Sequence, residues 1–223
     1  MDVENSGDKP QARRELKTRK KKWAIILSSW LASHGVKPNF ISCLSVVSAL
    51  ASAICFLSIS NKTVVFQIIL LVLAGAFIQL RLLFNMLDGL VAVEGGLHSK
   101  TGDLFNEIPD RIADVLILSC AGYAVVGGNG VLVGWLAATL AIFTAYLRLL
   151  GGSLGFRQNF CGPMAKPHRM FVLTVGAIVS AVVVNFIPYD GRFIYVALLV
   201  IVIGSVITSL RRIKVMAQEL ENK

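Results

Sequence analysis

Residues Thr63–Phe84 read T-V-V-F-Q-I-I-L-L-V-L-A-G-A-F-I-Q-L-R-L-L-F, and run directly into N-M-L-D-G-L-V-A-V-E-G-G-L-H-S-K-T-G-D-L-F-N-E-I-P-D over Asn85–Asp110. The first part is nearly all apolar. At about 1.5 Å per residue it is long enough, as a helix, to cross a hydrocarbon core of about 30 Å. The second part crowds acidic side chains against the end of that run. An apolar span ending in a carboxylate cluster predicts a membrane protein whose chemistry lies at the membrane face.

The same pattern recurs outward from this segment. Six apolar runs are read as spans: Phe40–Ser60, Thr63–Phe84, Ile108–Val126, Val131–Leu150, Met170–Ile187 and Phe193–Leu210. The links after the first, third and fifth are short, and those after the second and fourth are long and polar. Of 223 residues, 55% are hydrophobic and 16% charged, with a mean hydropathy of +0.70, more apolar than an ordinary soluble domain. The fold class expected is all-α integral membrane, with six transmembrane helices.

Ahead of these runs, Lys17, Arg19, Lys20, Lys21 and Lys22 lead into Trp23, Ile26, Leu27, Trp30 and Leu31. That apolar spacing is one face of a helix, and a basic, Trp-bearing amphipathic helix suits the interface plane. A signal peptide would share the basic start, but Ser28, Ser29 and Trp30 interrupt the apolar core it needs. The organisation expected is a polar basic tail over 1–22, an interfacial helix over 23–35, a six-helix membrane unit over 36–212 and a C-terminal tail over 213–223.

The net charge of +9 does not point to nucleic acid, because Lys and Arg sit beside the apolar runs. Nine lie in the N-terminal segment through Lys37, three in Arg81–Arg111, four in Arg148–Arg169 and four from Arg211 onward. Only Lys62 and Arg192 fall on the other side. This asymmetry places both termini and both long links in the cytoplasm. Cys43, Cys55 and Cys120 lie inside apolar runs, Cys161 stands alone, and no metal-binding cysteine spacing occurs.

Asp88, Glu94, Asp103, Glu107, Asp110 and Asp114 bridge the second and third runs. On a helix, Asp103, Asn106, Glu107, Asp110 and Asp114 share an arc of about 100°. Asn85 and Asp88 share a face of the preceding helix. Carboxylates so crowded resist desolvation unless a cation joins them, and oxygen-only ligands suit Mg2+, Mn2+ or Ca2+ rather than zinc. Helix-dipole compensation accounts for one or two acidic residues at a helix start, not for five positions on one face. Gly95-Gly96 is a turn signal, whereas Gly89 suits either a turn or close approach of a ligand to the backbone. A cation transporter would instead put ionisable groups near the bilayer midplane and break helices there.

The segment Asn85–Asp110 resembles the signature of the CDP-alcohol phosphotransferases (CDP-alcohol phosphatidyltransferases), D-x-x-D-G-x-x-A-R followed after eight or nine residues by G-x-x-x-D-x-x-x-D. Asp88, Gly89, Ala92, Gly102 and Asp110 match it. Asn85, Val93 and Asn106 stand where the signature has its first Asp, its Arg and its third Asp. Lys37-Pro38-Asn39-Phe40-Ile41-Ser42 also resembles the entry to the family's first span. The resemblance implies transfer of a phosphatidyl-type group from CDP-diacylglycerol to a small alcohol, with release of CMP, in phospholipid synthesis. It implies a Mg2+ or Mn2+ cofactor held by Asn85, Asp88, Asn106 and Asp110, with Asp103, Glu107 and Asp114 as further candidates. Asp110 takes the general-base role, and Gly89, Ala92 and Gly102 lie near the cytidine diphosphate. Arg148, Lys166 and Arg169 are candidates for substrate phosphates, and His168 reads as an interfacial side chain. A homodimer in the cell membrane, the inner membrane if bacterial, is expected, with the active site cytoplasmic. The three departures also suit a catalytically inactive relative.

Overall fold

The computed structural model describes residues 22–60, 62–94, 102–156 and 161–222. They form seven helices: α1 (Lys22–Ser33), α2 (Pro38–Leu57), α3 (Val64–Glu94), α4 (Gly102–Tyr123), α5 (Gly130–Ser153), α6 (Lys166–Val183) and α7 (Arg192–Glu221). The described residues contain no strand.

Local chemistry sets several helix starts. Lys37 is extended and Pro38 opens α2, where the missing proline N–H costs nothing. Ala165 is extended before α6, with Pro167 in its first turn. Gly191 precedes α7 at φ 75°, and a Cβ there would lie 2.7 Å from the Ala124 carbonyl oxygen.

α2, α3, α5, α6 and α7 are long and apolar enough to cross a membrane. The protein is thus a multi-pass, all-helical membrane protein among its described residues. α4 has 22 residues but is set apart from the expected six spans by composition: Asp103, Glu107, Asp110, Arg111 and Asp114 load its first half. It packs against α2, α5 and α7, with a lighter contact to α3. Phe56, Leu71, Ile78, Ile117, Leu118, Leu173 and Leu198 meet in the core. Small residues allow the close crossings: a Cβ on Gly122 would sit 2.6 Å from the Gly130 carbonyl oxygen, and one on Gly134 would sit 2.8 Å from Gly122 Cα. Val65, Phe66, Phe171, Ile203 and Leu210 point outward, an apolar surface suited to lipid.

Two boundaries differ from the sequence expectation. α3 continues ten residues beyond Phe84: Asn85 and Asp88 lie on it, as their shared face implies, and the helix runs on past them to Glu94. Their polar faces turn inward to other polar groups, which keeps the helix intact. α7 likewise runs on through most of 213–223. α1 lies along α3, with Ala24 and Ser28 buried and Ile26 and Trp30 exposed. Asn185 donates to the carbonyls of Ala181 and Val182 at the end of α6.

Candidate active site

Five helices bring polar side chains to one end of the bundle. Arg81, Asn85 and Asp88 follow i, i+4, i+7 spacing and so share one face of α3; Glu107, Asp110 and Asp114 do the same on α4 at i, i+3, i+7. α6 contributes Lys166 and Arg169 from its first turn, α5 contributes Thr144 and Arg148, and α2 contributes Ser42.

Asn85 and Asp110 are joined directly: Asn85 Nδ2 donates to Asp110 Oδ1 at 2.8 Å. Lys166 Nζ donates to both Asn85 Oδ1 and Asp110 Oδ2. Asp88 is 4% exposed and its Oδ2 accepts from Ser42 Oγ at 2.7 Å. Asp88 Oδ1 is buried with no hydrogen bond of normal geometry, the Gly89 amide adding only a polar contact, and it lies within electrostatic reach of Asp110 and Lys166.

Below this lies a second set of charges, closed to solvent. Asp114 is 0% exposed, and its two oxygens accept from Arg81 Nη2 and Arg169 Nη2, each at 2.9 Å. Arg81 also reaches Asp110, donating to its carbonyl oxygen at 3.2 Å and to Oδ1 at 3.3 Å. Arg169 donates further to Thr144 Oγ1 and the Met164 carbonyl. Nearer the surface, Glu107 pairs with Arg148 at 2.5 Å and with Arg111 at 3.7 Å.

The residues preceding α6 are fixed to α7. Met164 N–H donates to Thr208 Oγ1 at 3.0 Å, and Arg212 donates to the carbonyls of Cys161 and Thr144. Gly162, at φ 111°, lies where a Cβ would come 2.7 Å from Thr208 Oγ1.

This geometry redistributes the expected roles. Asn85, Asp88 and Asp110 gather as a unit. Asp114 is a counter-ion to two buried arginines, with neither oxygen left for a metal. Arg169, expected to meet a phosphate, is 2% exposed and occupied by Asp114. Lys166 stands against the acidic residues themselves rather than at the far end of a pocket. Arg148 and Glu107 are engaged with each other. Gly89 and Ala92 are half-buried on the turns of α3 around and beyond Asp88, Gly102 opens α4, and His168 is exposed. The side chains of Asp103 and Asn106 lie outside the described residues. Arg81, near the end of an apolar run, could either reach the membrane interface or pair with the acidic cluster; the structure shows the pairing, to Asp110 and Asp114. Gln79 takes no part and donates to Thr174 on the outer surface.

Among the described residues no three acidic, histidine or cysteine side chains converge as metal ligands. A ligand set therefore has to include the Asn85 amide oxygen. With the unsatisfied Asp88 Oδ1 and Asp110, it forms an all-oxygen donor set that fits a hard divalent cation.

Crystal structures of Mycobacterium tuberculosis phosphatidylinositol phosphate synthase (PgsA1) superpose on this arrangement of helices. With CDP-DAG bound, that structure matches at a TM-score of 0.70 and 20% identity, over 88% of this chain and 94% of the synthase. The complex with manganese and citrate matches at 0.69 and 20% identity, over 86% and 88%. The apo form matches at 0.66 and 21% identity, over 85% and 93%. The chain shares the synthase fold. In sequence it is also similar to the inner membrane protein YnbA of Escherichia coli K12, 22% identical over 191 residues, spanning 86% of this chain and 90% of YnbA. No protein-family model matches the chain.

Proposed function

We propose that this chain is a CDP-alcohol phosphatidyltransferase, which moves a phosphatidyl-type group from CDP-diacylglycerol to a small alcohol. The observation that carries the reading is the meeting of Asn85, Asp88 and Asp110 at one end of the synthase fold, at the spacing of the family signature. Support also comes from the solved relatives, one holding CDP-DAG and another manganese.

Asp110 sits at the mouth of the site as general base. It takes the proton of the acceptor hydroxyl as the acceptor oxygen attacks the lipid-side phosphorus; the bond from that phosphorus to the CMP oxygen breaks, and CMP leaves with the electron pair. Asn85 holds Asp110 in place through its 2.8 Å bond. Arg81 fixes the backbone and side chain of Asp110 from below. Gly89 and Ala92 leave room for the nucleotide beside α3, with Gly102 opposite, and Lys166 and Arg148 lie within reach of incoming phosphate charge. Asn85, Asp88 and Asp110 would hold a divalent ion, with Asn106 at the signature's third Asp as a further candidate, and that ion would supply charge for the diphosphate and for departing CMP.

In this reading α4 crosses the bilayer as a sixth span and α1 lies in the interface plane, where it meets the lipid donor. The active site and both termini face the cytoplasm, and the molecule is a homodimer in the inner membrane. The contact of Lys166 with Asp110 favours one alternative, a non-catalytic relative whose base is permanently paired.

The test is CMP release from CDP-diacylglycerol by purified protein, with Mg2+ or Mn2+ and a panel of alcohols. Release that requires the ion and an acceptor, and that is lost in Asp110→Asn and Asp88→Asn, is expected. No release with any acceptor, despite binding of ion and donor lipid, selects the non-catalytic reading.

A further inference from the structure

The acidic site contains a cation of its own. Lys166 Nζ bridges Asn85 Oδ1 and Asp110 Oδ2, and Asn85 Nδ2 closes the ring on Asp110 Oδ1. Only an amide at position 85 can do both. A carboxylate there offers no donor to Asp110 and sets two negative charges side by side. The Asn at this position is therefore matched to an ammonium.

The surrounding charges agree. Among the described residues, the buried Asp110 and Asp114 are paired with Arg81, Arg111, Lys166 and Arg169, so these two acids are already matched by the chain's own cations. Asp114 is fully taken by its two arginines, and Glu107 by Arg148 and Arg111. Among the described residues two buried carboxylate oxygens lack a hydrogen bond: Glu107 Oε2, which has Arg111 3.7 Å away, and Asp88 Oδ1 on the α3 side of the site, which has no ion pair. Asp88 Oδ1 has room in its bonding for one hard cation, with the second lone pairs of Asn85 Oδ1 and Asp110 as its further donors, whereas the charge of Asp110 is already balanced by Lys166.

We infer that Lys166 is a resident cation of the acidic site, so that the chain takes one divalent ion, on the Asp88 side, beside a fixed ammonium. The site then presents a divalent and a monovalent charge to an incoming diphosphate, and the α6 side of that pair cannot be removed by chelation. This rests on the transferase reading for the identity of the site, but not on its activity.

The test counts bound Mn2+ at fixed pH, by the electron paramagnetic resonance of free ion during titration of the purified protein in detergent, without substrate. Wild type is expected to bind one Mn2+ per chain. Lys166→Met removes the repelling charge and is expected to tighten that ion roughly tenfold or more. Asn85→Asp combined with Lys166→Met is expected to admit a second ion. If Lys166→Met does not fold, Lys166→Gln makes the same comparison. Two ions in wild type, or unchanged affinity in the Lys166 variants, overturns the inference while leaving the transferase intact. No ion in either protein overturns both. One ion with the expected Lys166 effect but no CMP release refutes the transferase and leaves the resident cation standing.

Discussion

Replacing Asp114 by Asn preserves its size and removes one charge from the most enclosed part of the molecule. Both carboxylate oxygens lie 2.9 Å from guanidinium nitrogens, and the side chain is fully buried. At an effective dielectric of about 20, each contact represents roughly 6 kcal/mol of Coulomb attraction, most of it offset by the cost of dehydrating the ions. Removing one partner leaves that dehydration uncompensated on Arg81 and Arg169, for a net loss of about 3–5 kcal/mol. For a chain of this size that corresponds to roughly 6–20 °C in melting temperature. Cys55 is buried in the core and Cys43 is exposed, so reaction of a thiol-sensitive dye during heating reads the unfolding directly, with Cys43 as the baseline. Asp114→Asn is expected to melt well below wild type. Breaking the exposed pair of Asp190 and Arg192 on the opposite side is expected to change little, because solvent screens it. The joint change Arg81→Met, Asp114→Leu, Arg169→Met is expected to recover most of the lost stability, since no charge is left stranded. An Asp114→Asn melting curve superimposable on wild type would refute the reasoning.

Other outcomes follow from the same geometry. Ser42→Ala deprives the buried Asp88 of a charge-assisted hydrogen bond, with an expected loss of about 1.5–3 kcal/mol in the dye assay and altered Mn2+ affinity by titration. Gly134→Val drives a side chain into the backbone of α4 at Gly122 and is expected to cost at least about 1–3 kcal/mol, read as lower melting temperature or failure to purify as a folded species. Tyr189→Phe removes the hydroxyl that donates to the Ala124 carbonyl at 2.8 Å and is expected to cost about 1 kcal/mol, with CMP release unchanged because the pair lies at the other end of the bundle. Chelation of divalent ions is expected to abolish CMP release while leaving the melting of the protein close to wild type, since Lys166 and the arginines already balance the buried acids.

Five apolar helices were legible because each is a long apolar run, a signal that depends on composition alone. The helical face of Asn85 and Asp88 was legible from their spacing, but the continuation of α3 to Glu94 was not, because Gly89 and the residues after it have the composition of a link. Asn85 and Asp88 are met there by Ser42 of α2, Asp110 of α4 and Lys166 of α6. Helical spacing put Asn85 and Asp88 on one face and Asp103, Asn106, Glu107, Asp110 and Asp114 on another; of these, Asn85, Asp88, Glu107, Asp110 and Asp114 are described and lie at one end of the bundle. It gave no information about which cation from elsewhere in the chain meets which acid. Lys166 and Arg169 are three residues apart and look interchangeable in sequence. In the fold, Lys166 opens α6 and meets Asp110, while Arg169, one turn further along the helix, is enclosed against Asp114.

The anchoring of the residues before α6 also has a mutational consequence. The segment that leads to Lys166 is tied to α7: Met164 N–H donates to Thr208, Arg212 donates to the Cys161 carbonyl, and Gly162 fits against Thr208 with no room for a Cβ. The backbone that carries the ammonium therefore takes its position from α7. A lineage that needed a longer or shorter gap between these charges would have to move that segment against Thr208 and Arg212. It would have to alter α7, and the traces of altered substrate preference would then be found at positions 204, 208 and 212, one helix removed from the chemistry they adjust.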